Sequence, residues 1–196
     1  VAEHTREALL LCEAAGYDII IVETVGVGQS ETAVAGMTDC FVLLALPNAG
    51  DDLQAIKRGI VELVDFVLVN KADIDPKAAE LARTQIANAF SMLRQRAAHW
   101  SPPVLALSAL TGTGVEAFWE EAERFRAAAA ASGAAAAKRK HQAHDWMIAL
   151  VEHELRARFY QNPAVKAELA AVQAAVAEGR MTPAAAAARL LACVRT

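Results

Sequence analysis

Asp65-Phe66-Val67-Leu68-Val69 runs directly into Asn70-Lys71-Ala72-Asp73, and the two halves of this stretch carry different messages. The first half is a short, continuously apolar run after a single acid, which is the composition of a strand buried on both faces of a parallel sheet. The polar tetrad then falls at the carboxyl end of that strand, where open α/β sheets place their ligands. An Asp carboxylate there accepts two hydrogen bonds at once, from the N1–H and the exocyclic amine of guanine. Adenine offers no such donor pair and would leave the carboxylate unpaired, which is how a polar pocket becomes selective. Asn70 would tie the base-binding loops together, and the stem of Lys71 would lie over the ring. On this stretch alone a second reading is equally open: a strand-to-helix turn in which Asp73 or Asp75 caps a helix that begins at Pro76.

Two further motifs favour the first reading. Upstream, Asp18-Ile19-Ile20-Ile21-Val22-Glu23 is an apolar run ending in an acid, with Gly26 three residues later. Such a carboxylate can order the water shell of a phosphate-bound Mg²⁺. A glycine lets its own N–H approach a terminal phosphate with no side chain in the way. A plain buried strand with a glycine turn is the competing explanation. Downstream, Val104-Leu105-Ala106-Leu107 ends in Ser108-Ala109-Leu110, where backbone N–H groups could reach the guanine O6. Each motif is weak by itself. Their order, each after its own strand, is specific.

The whole chain alternates apolar runs with helical patterns. Strands are expected at 18–23, 39–46, 65–70 and 103–107, and helices at 4–15, 30–37, 51–63, 77–98 and 114–130. That rhythm predicts an α/β fold, a doubly wound and mostly parallel sheet, with the three motifs on one rim. From Ala127 to Ala137 the sequence is almost pure alanine, broken by Ser132-Gly133, a signal for a hinge or helix break. Helices are expected beyond it at 138–160, 163–178 and 182–194, the first amphipathic, with Trp146, Leu150 and Leu155 among its apolar positions.

A net charge of −4, from 19 basic and 23 acidic residues, gives no electrostatic case for nucleic acid or a membrane surface. Cys12, Cys40 and Cys193 are odd in number and unpatterned, as in a reducing compartment rather than a disulfide framework or zinc site. No apolar run reaches membrane-spanning length. Lys138-Arg139-Lys140 reads as a solvated helix start, and the pair His141 and His144 lacks a third metal ligand nearby. Trp100 and Trp119 read as packing residues.

Val22-Glu23-Thr24-Val25-Gly26-Val27-Gly28-Gln29-Ser30-Glu31 and the segment Pro47-Asn48-Ala49-Gly50-Asp51-Asp52-Leu53-Gln54-Ala55-Ile56-Lys57-Arg58-Gly59 together resemble the MeaB/ArgK-type GTPases over nearly the whole chain. The resemblance implies a P-loop GTPase-type fold, GTP/GDP with Mg²⁺, and a cytoplasmic chaperone of adenosylcobalamin-dependent methylmalonyl-CoA mutase. It implies a partial GTPase domain over 1–131 and a helical homodimerisation extension over 132–196. Glu23 would meet Mg²⁺, with Gln29, Asp51 and Lys57 in the catalytic and switch segments. Gly26, Asn70, Lys71, Asp73, Ser108, Ala109 and Leu110 would hold the nucleotide. No Gly-x-x-x-x-Gly-Lys-Ser/Thr phosphate loop occurs, so the chain is expected to be the C-terminal part of a longer protein, inactive alone. A non-catalytic dimerisation and mutase-binding module is the alternative; an ATP-dependent kinase is disfavoured by the guanine reader. Where Ras-like GTPases carry a water-orienting Gln after the acid-x-x-Gly, this sequence has Val27, with Gln29 two residues on; slow intrinsic hydrolysis follows.

Overall fold

A computed structural model describes residues 4–24, 31–47, 62–93 and 100–194. Helices α1 (Thr5–Ala14) and α2 (Glu31–Ala35) precede strand β1 (Val42–Ala45). Strand β2 (Phe66–Val69), helix α3 (Pro76–Leu93), strand β3 (Val104–Ala106) and helix α4 (Val115–Ala131) follow. The chain closes with α5 (Ala134–Gln161), α6 (Pro163–Ala177) and α7 (Pro183–Ala192). The three strands form one parallel sheet in the order β1-β2-β3, with Val42 opposite Phe66 and Val67 opposite Val104.

β2 is the centre of this sheet and its apolar run is buried throughout. Its two faces pack differently, as the two-residue period of a strand requires. Val67 and Val69 join Ala79, Ala82, Ile86 and Phe90 of α3 in the main core. Phe66, on the opposite face, meets Trp100, Phe118 and Phe125 at ring-centroid distances of 5.4, 5.5 and 5.7 Å. Helices therefore cover both faces, the doubly wound arrangement read from the sequence. Trp100 is a packing residue, and its Nε1 donates to the Asp65 carbonyl at 2.9 Å. Trp119 is different: it remains 44% exposed, and its neighbour Phe118 fills the place beside Phe66.

The expected strand at 18–23 does not form. Its side chains do alternate, with Ile19 and Ile21 exposed and Ile20 and Val22 partly buried. Val22 even packs on the main core. A strand, however, exists only through a hydrogen-bonded neighbour, and none of the described residues supplies one. The continuous apolar run promised a strand covered on both faces; one face is partly buried, the other is exposed, and the ladder is missing. The helix expected at 51–63 lies almost wholly outside the described residues. The break at Ser132-Gly133 is present: α4 ends at Ser132, whose Oγ donates to the Ala128 carbonyl at 2.8 Å, and Gly133 follows at φ 75°. Glycine is the residue that takes this left-handed step without a β-carbon penalty.

The chain divides into two compact units, 1–142 and 143–196, with the division inside α5. In the second unit α6 and α7 start alike. Asn162 and Thr182 cap them by accepting the N–H groups of Ala164 and Ala185, and a proline opens each first turn. Val165 and Val172 of α6 and Ala186 of α7 are buried, and Arg189 pairs with Glu168 at 2.5 Å. α5 has no buried residue; Met147, Leu150, Val151 and Leu155 all stand half-exposed or more. Among the described residues no helix is long and apolar enough to cross a membrane.

Candidate functional site

At the carboxyl end of β2 the Asn70 N–H donates to the Ala45 carbonyl at 2.9 Å, fastening the turn to β1. The Asn70 side chain then works in two directions. Its Oδ1 accepts the N–H of Lys71 at 2.7 Å and that of Ala109 at 3.1 Å, from a loop 39 residues later in sequence. A second tie runs from the Ala72 N–H to the Leu107 carbonyl at 3.1 Å. The loops after β2 and β3 are thus one hydrogen-bonded unit. Lys71 sits in it at φ 62°, the sole non-glycine residue with positive φ among the described residues. That conformation costs about 1–2 kcal/mol for a residue with a β-carbon, and it persists because the surrounding bonds dictate it.

The two readings of this stretch separate cleanly. Asp75 is the helix cap: its Oδ1 accepts the N–H groups of Lys77 and Ala78 at 3.1 and 3.0 Å, and Pro76 opens α3. Asp73 is therefore released from capping. Its carboxylate is exposed and has no hydrogen-bond or ion-pair partner among the described residues.

The facing loop is coiled tightly around Ser108, which is 1% exposed. Ser108 Oγ accepts the Thr111 N–H at 3.1 Å, its own N–H donates to the Thr113 carbonyl at 2.9 Å, and its carbonyl accepts the Gly112 N–H at 2.9 Å. The loop closes at Gly114, φ 80°, where a β-carbon would lie 2.7 Å from the Ala106 carbonyl oxygen. The N–H groups of Ser108 and Ala109, expected to face the base, are both used inside the protein. The neighbouring Leu110, 88% exposed, has an N–H with no partner among the described residues, a donor open to a ligand.

The site thus presents a carboxylate at Asp73, a backbone donor at Leu110, and the donor Asn70 Nδ2, whose direction is set by the two bonds that Oδ1 accepts. That set complements the guanine edge: two donors for the carboxylate, and acceptors at O6 and N7. Leu46, Pro47, Lys71, Ile74 and Asp75 line an adjoining recess of about 140 Å³. Ligand pockets span roughly 300–1,000 Å³, so these residues form one wall of a site rather than a closed pocket. Glu23 is exposed at the end of the 18–24 stretch. Gly26, Gln29, Asp51 and Lys57 lie outside the described residues. Among the described residues no cluster of three or more His, Cys, Asp or Glu side chains forms a metal site.

Two features escaped the sequence reading. One is the close approach at Gly114; its signal was the Gly-x-Gly spacing of 112–114. The other is the basic triplet at 138–140, which is not simply solvated. Lys138 Nζ donates to the Asp39 carbonyl at 2.9 Å and reaches the Asp65 carboxylate at 3.5 Å, while Arg139 pairs with Asp39 and with Glu13 at 3.0 Å. Between these groups, burial pushes the Cys40 thiol up to about 12, so it stays protonated and unreactive.

Residues 1–164 match the family model described as methylmalonyl Co-A mutase-associated GTPase MeaB. A putative GTPase of Caulobacter vibrioides is 49% identical over 192 residues, covering 98% of this chain and 59% of that protein. The mouse methylmalonic aciduria type A homolog, a mitochondrial protein, is 42% identical over 97% of this chain and 46% of its own length. GTPase ArgK of Escherichia coli is 43% identical over 82% of this chain and 49% of its own length. A crystal structure of an LAO/AO transport system kinase superposes with a TM-score of 0.78 at 36% identity, over 97% of this chain and 62% of that one. The chain spans about half the length of the curated relatives it matches.

Proposed function

The chain belongs to the family of methylmalonyl-CoA mutase-associated GTPases, MeaB, and on that premise we propose that it serves a GTP-binding, GTP-hydrolysing chaperone. The chaperone would couple its nucleotide state to adenosylcobalamin loading and protection of a B12-dependent acyl-CoA mutase, methylmalonyl-CoA mutase first, in the cytoplasm. The observation that supports this reading is the double use of Asn70 Oδ1, which joins the loops after β2 and β3 and leaves Asn70 Nδ2 and the Asp73 carboxylate available, a donor and an acceptor of the kinds guanine needs.

In this reading Asp73 selects the base, Lys71 covers its face, and the loop of Ser108, Ala109 and Leu110 meets O6. Glu23 orders the water around Mg²⁺ beside the terminal phosphate, and Gly26 lets the backbone approach that phosphate. Gln29, rather than the apolar Val27, stands nearest in sequence to a water-orienting role. Residues 1–131 would be the GTPase part and 132–196 a dimerising extension. The uncovered apolar positions of α5 support the latter, because such a row is stable when a second surface covers it.

Asp51 and Lys57 would exchange charge partners as the nucleotide state changes. In the full-length protein Lys57→Ala should therefore keep GTP affinity within a few-fold and reduce the acceleration of hydrolysis by the mutase. GTPase rates with and without saturating mutase measure this. An identical ratio in wild type and variant would return the segment to an ordinary connecting loop.

A further inference from the structure

The start of α5 carries Lys138, Arg139 and Lys140 in its first two turns, where cations oppose the helix dipole. Their placement makes sense only through partners elsewhere. Arg139 binds Asp39 through Nε at 2.7 Å and through a second nitrogen, and it also reaches Glu13 of α1. The Arg139 bond holds the Asp39 carboxyl below its ordinary value. One turn on, Gln142 Nε2 donates to the carbonyls of Ala35 and Thr38 at 3.3 and 2.9 Å. Arg6 of α1 joins in, donating to the carbonyls of Gly36 and Gln142.

These bonds land on two particular places. Ala35, Gly36, Thr38 and Asp39 form the end of α2 and the turn after it, and α2 begins five residues beyond Gly26 in sequence. The carbonyl of Ala35, the last residue of α2, is satisfied by Gln142 of α5, and that of Gly36 just beyond it by Arg6 of α1, while Val34 is met within its own turn by Met37 and Thr38. Lys138 reaches Asp65, 14% exposed, whose carboxylate also accepts the Phe41 N–H at 2.9 Å. Asp65 opens the strand that ends in Asn70-Lys71-Ala72-Asp73. The start of α5 is thus tied to the far ends of two segments whose near ends carry Glu23-x-x-Gly26 and the base reader.

We propose that Lys138, Arg139 and Gln142 form a latch between α5 and the α2–β1 connection, and that bound nucleotide changes how firmly the latch is held. The proposal rests on the guanine-nucleotide reading above. No residue of the latch touches the candidate base site, so it regulates without binding.

The test is hydrogen exchange on the full-length protein, free, with GDP, and with a non-hydrolysable GTP analogue. In the wild type, exchange at 134–142 should differ about threefold or more between the two nucleotides. Arg139→Asp and Asp39→Arg should each speed exchange at 134–142 and 35–39 by about three- to tenfold and erase the nucleotide difference. Both should keep GDP and GTP affinity within about threefold, since neither residue reaches the base-reading loops. The double variant, with the charges exchanged, should restore slow exchange, which separates a broken latch from a damaged fold. Equal exchange at 134–142 in both nucleotide states, with nucleotide bound, would overturn the proposal. So would a persisting difference in Arg139→Asp. Failure of any guanine nucleotide to bind would instead sink the functional reading, and nucleotide control of the latch with it. Unchanged exchange in free Arg139→Asp would sink the latch by itself.

Discussion

Replacing Asp73 by Asn should turn the full-length protein from guanine to xanthine nucleotides. In the proposed site the carboxylate would accept from two donors of guanine, and a hydrogen bond to a charged group is worth about 1.5–3 kcal/mol. An amide keeps one acceptor but sets its NH₂ against the guanine amine, so GDP affinity should fall by roughly 100-fold or more. Xanthine has a carbonyl where guanine has that amine, and the new NH₂ meets an acceptor there. Calorimetric titration with GDP, XDP and ADP reads all three affinities. The fold should be untouched, because Asp75 and not Asp73 caps α3. Retained GDP affinity in a well-folded Asp73→Asn protein would remove the base-reading role from this loop.

The second large effect is on stability. Phe66→Ala should cost about 3–5 kcal/mol, the range for emptying a fully buried aromatic site. Phe66 is 0% exposed, and its ring meets three others, two of them edge-on at interplanar angles of 90° and 79°. Trp100 and Phe125 also pack on one another, with centroids 5.1 Å apart, so they are braced and cannot collapse into the void. Natural domains hold only about 5–15 kcal/mol in total, which makes this one ring a large share. As an internal comparison, Trp119→Ala, one residue from Phe118 but 44% exposed, should cost well under half as much. Chemical denaturation of both variants decides it. A loss below about 1 kcal/mol for Phe66→Ala would mean the aromatic cluster does not support β2.

What could be read from the sequence was local. β2 announced itself because four consecutive apolar residues between polar ones report a strand covered on both faces, and both coverings are present. The break at Ser132-Gly133 follows from the backbone chemistry of single residues, so it too was legible; a cap before Pro76 was legible as well, but not which of Asp73 and Asp75 supplies it. Asn70 as a bridge was legible because its motif needs one. Apart from Trp119, whose neighbour Phe118 takes the packed place, the errors are of another kind. Residues 18–23 have strand composition, but a ladder depends on a neighbour that composition does not name. Arg139 looked solvated because its carboxylates lie 100 and 126 residues earlier in the chain, and Lys138 reaches one 73 residues away. Ala109 was expected to offer its N–H outward; the competing acceptor was a side chain 39 residues upstream.

Gly112 and Gly114 look interchangeable on paper, two glycines in one loop at φ 77° and 80°. Their histories under mutation should nonetheless diverge. At Gly112 an added β-carbon meets nothing within 4 Å, so only the backbone preference resists change, and Asn or Asp can drift in at modest cost. At Gly114 the same carbon would also strike the Ala106 carbonyl and the Leu107 side chain, so every alternative must shift the rim of β3. That rim holds Leu107 and Ser108, and with them the loop that faces Asp73. The first glycine answers only to its own backbone; the second answers also to the carbonyl and side chain packed beside it.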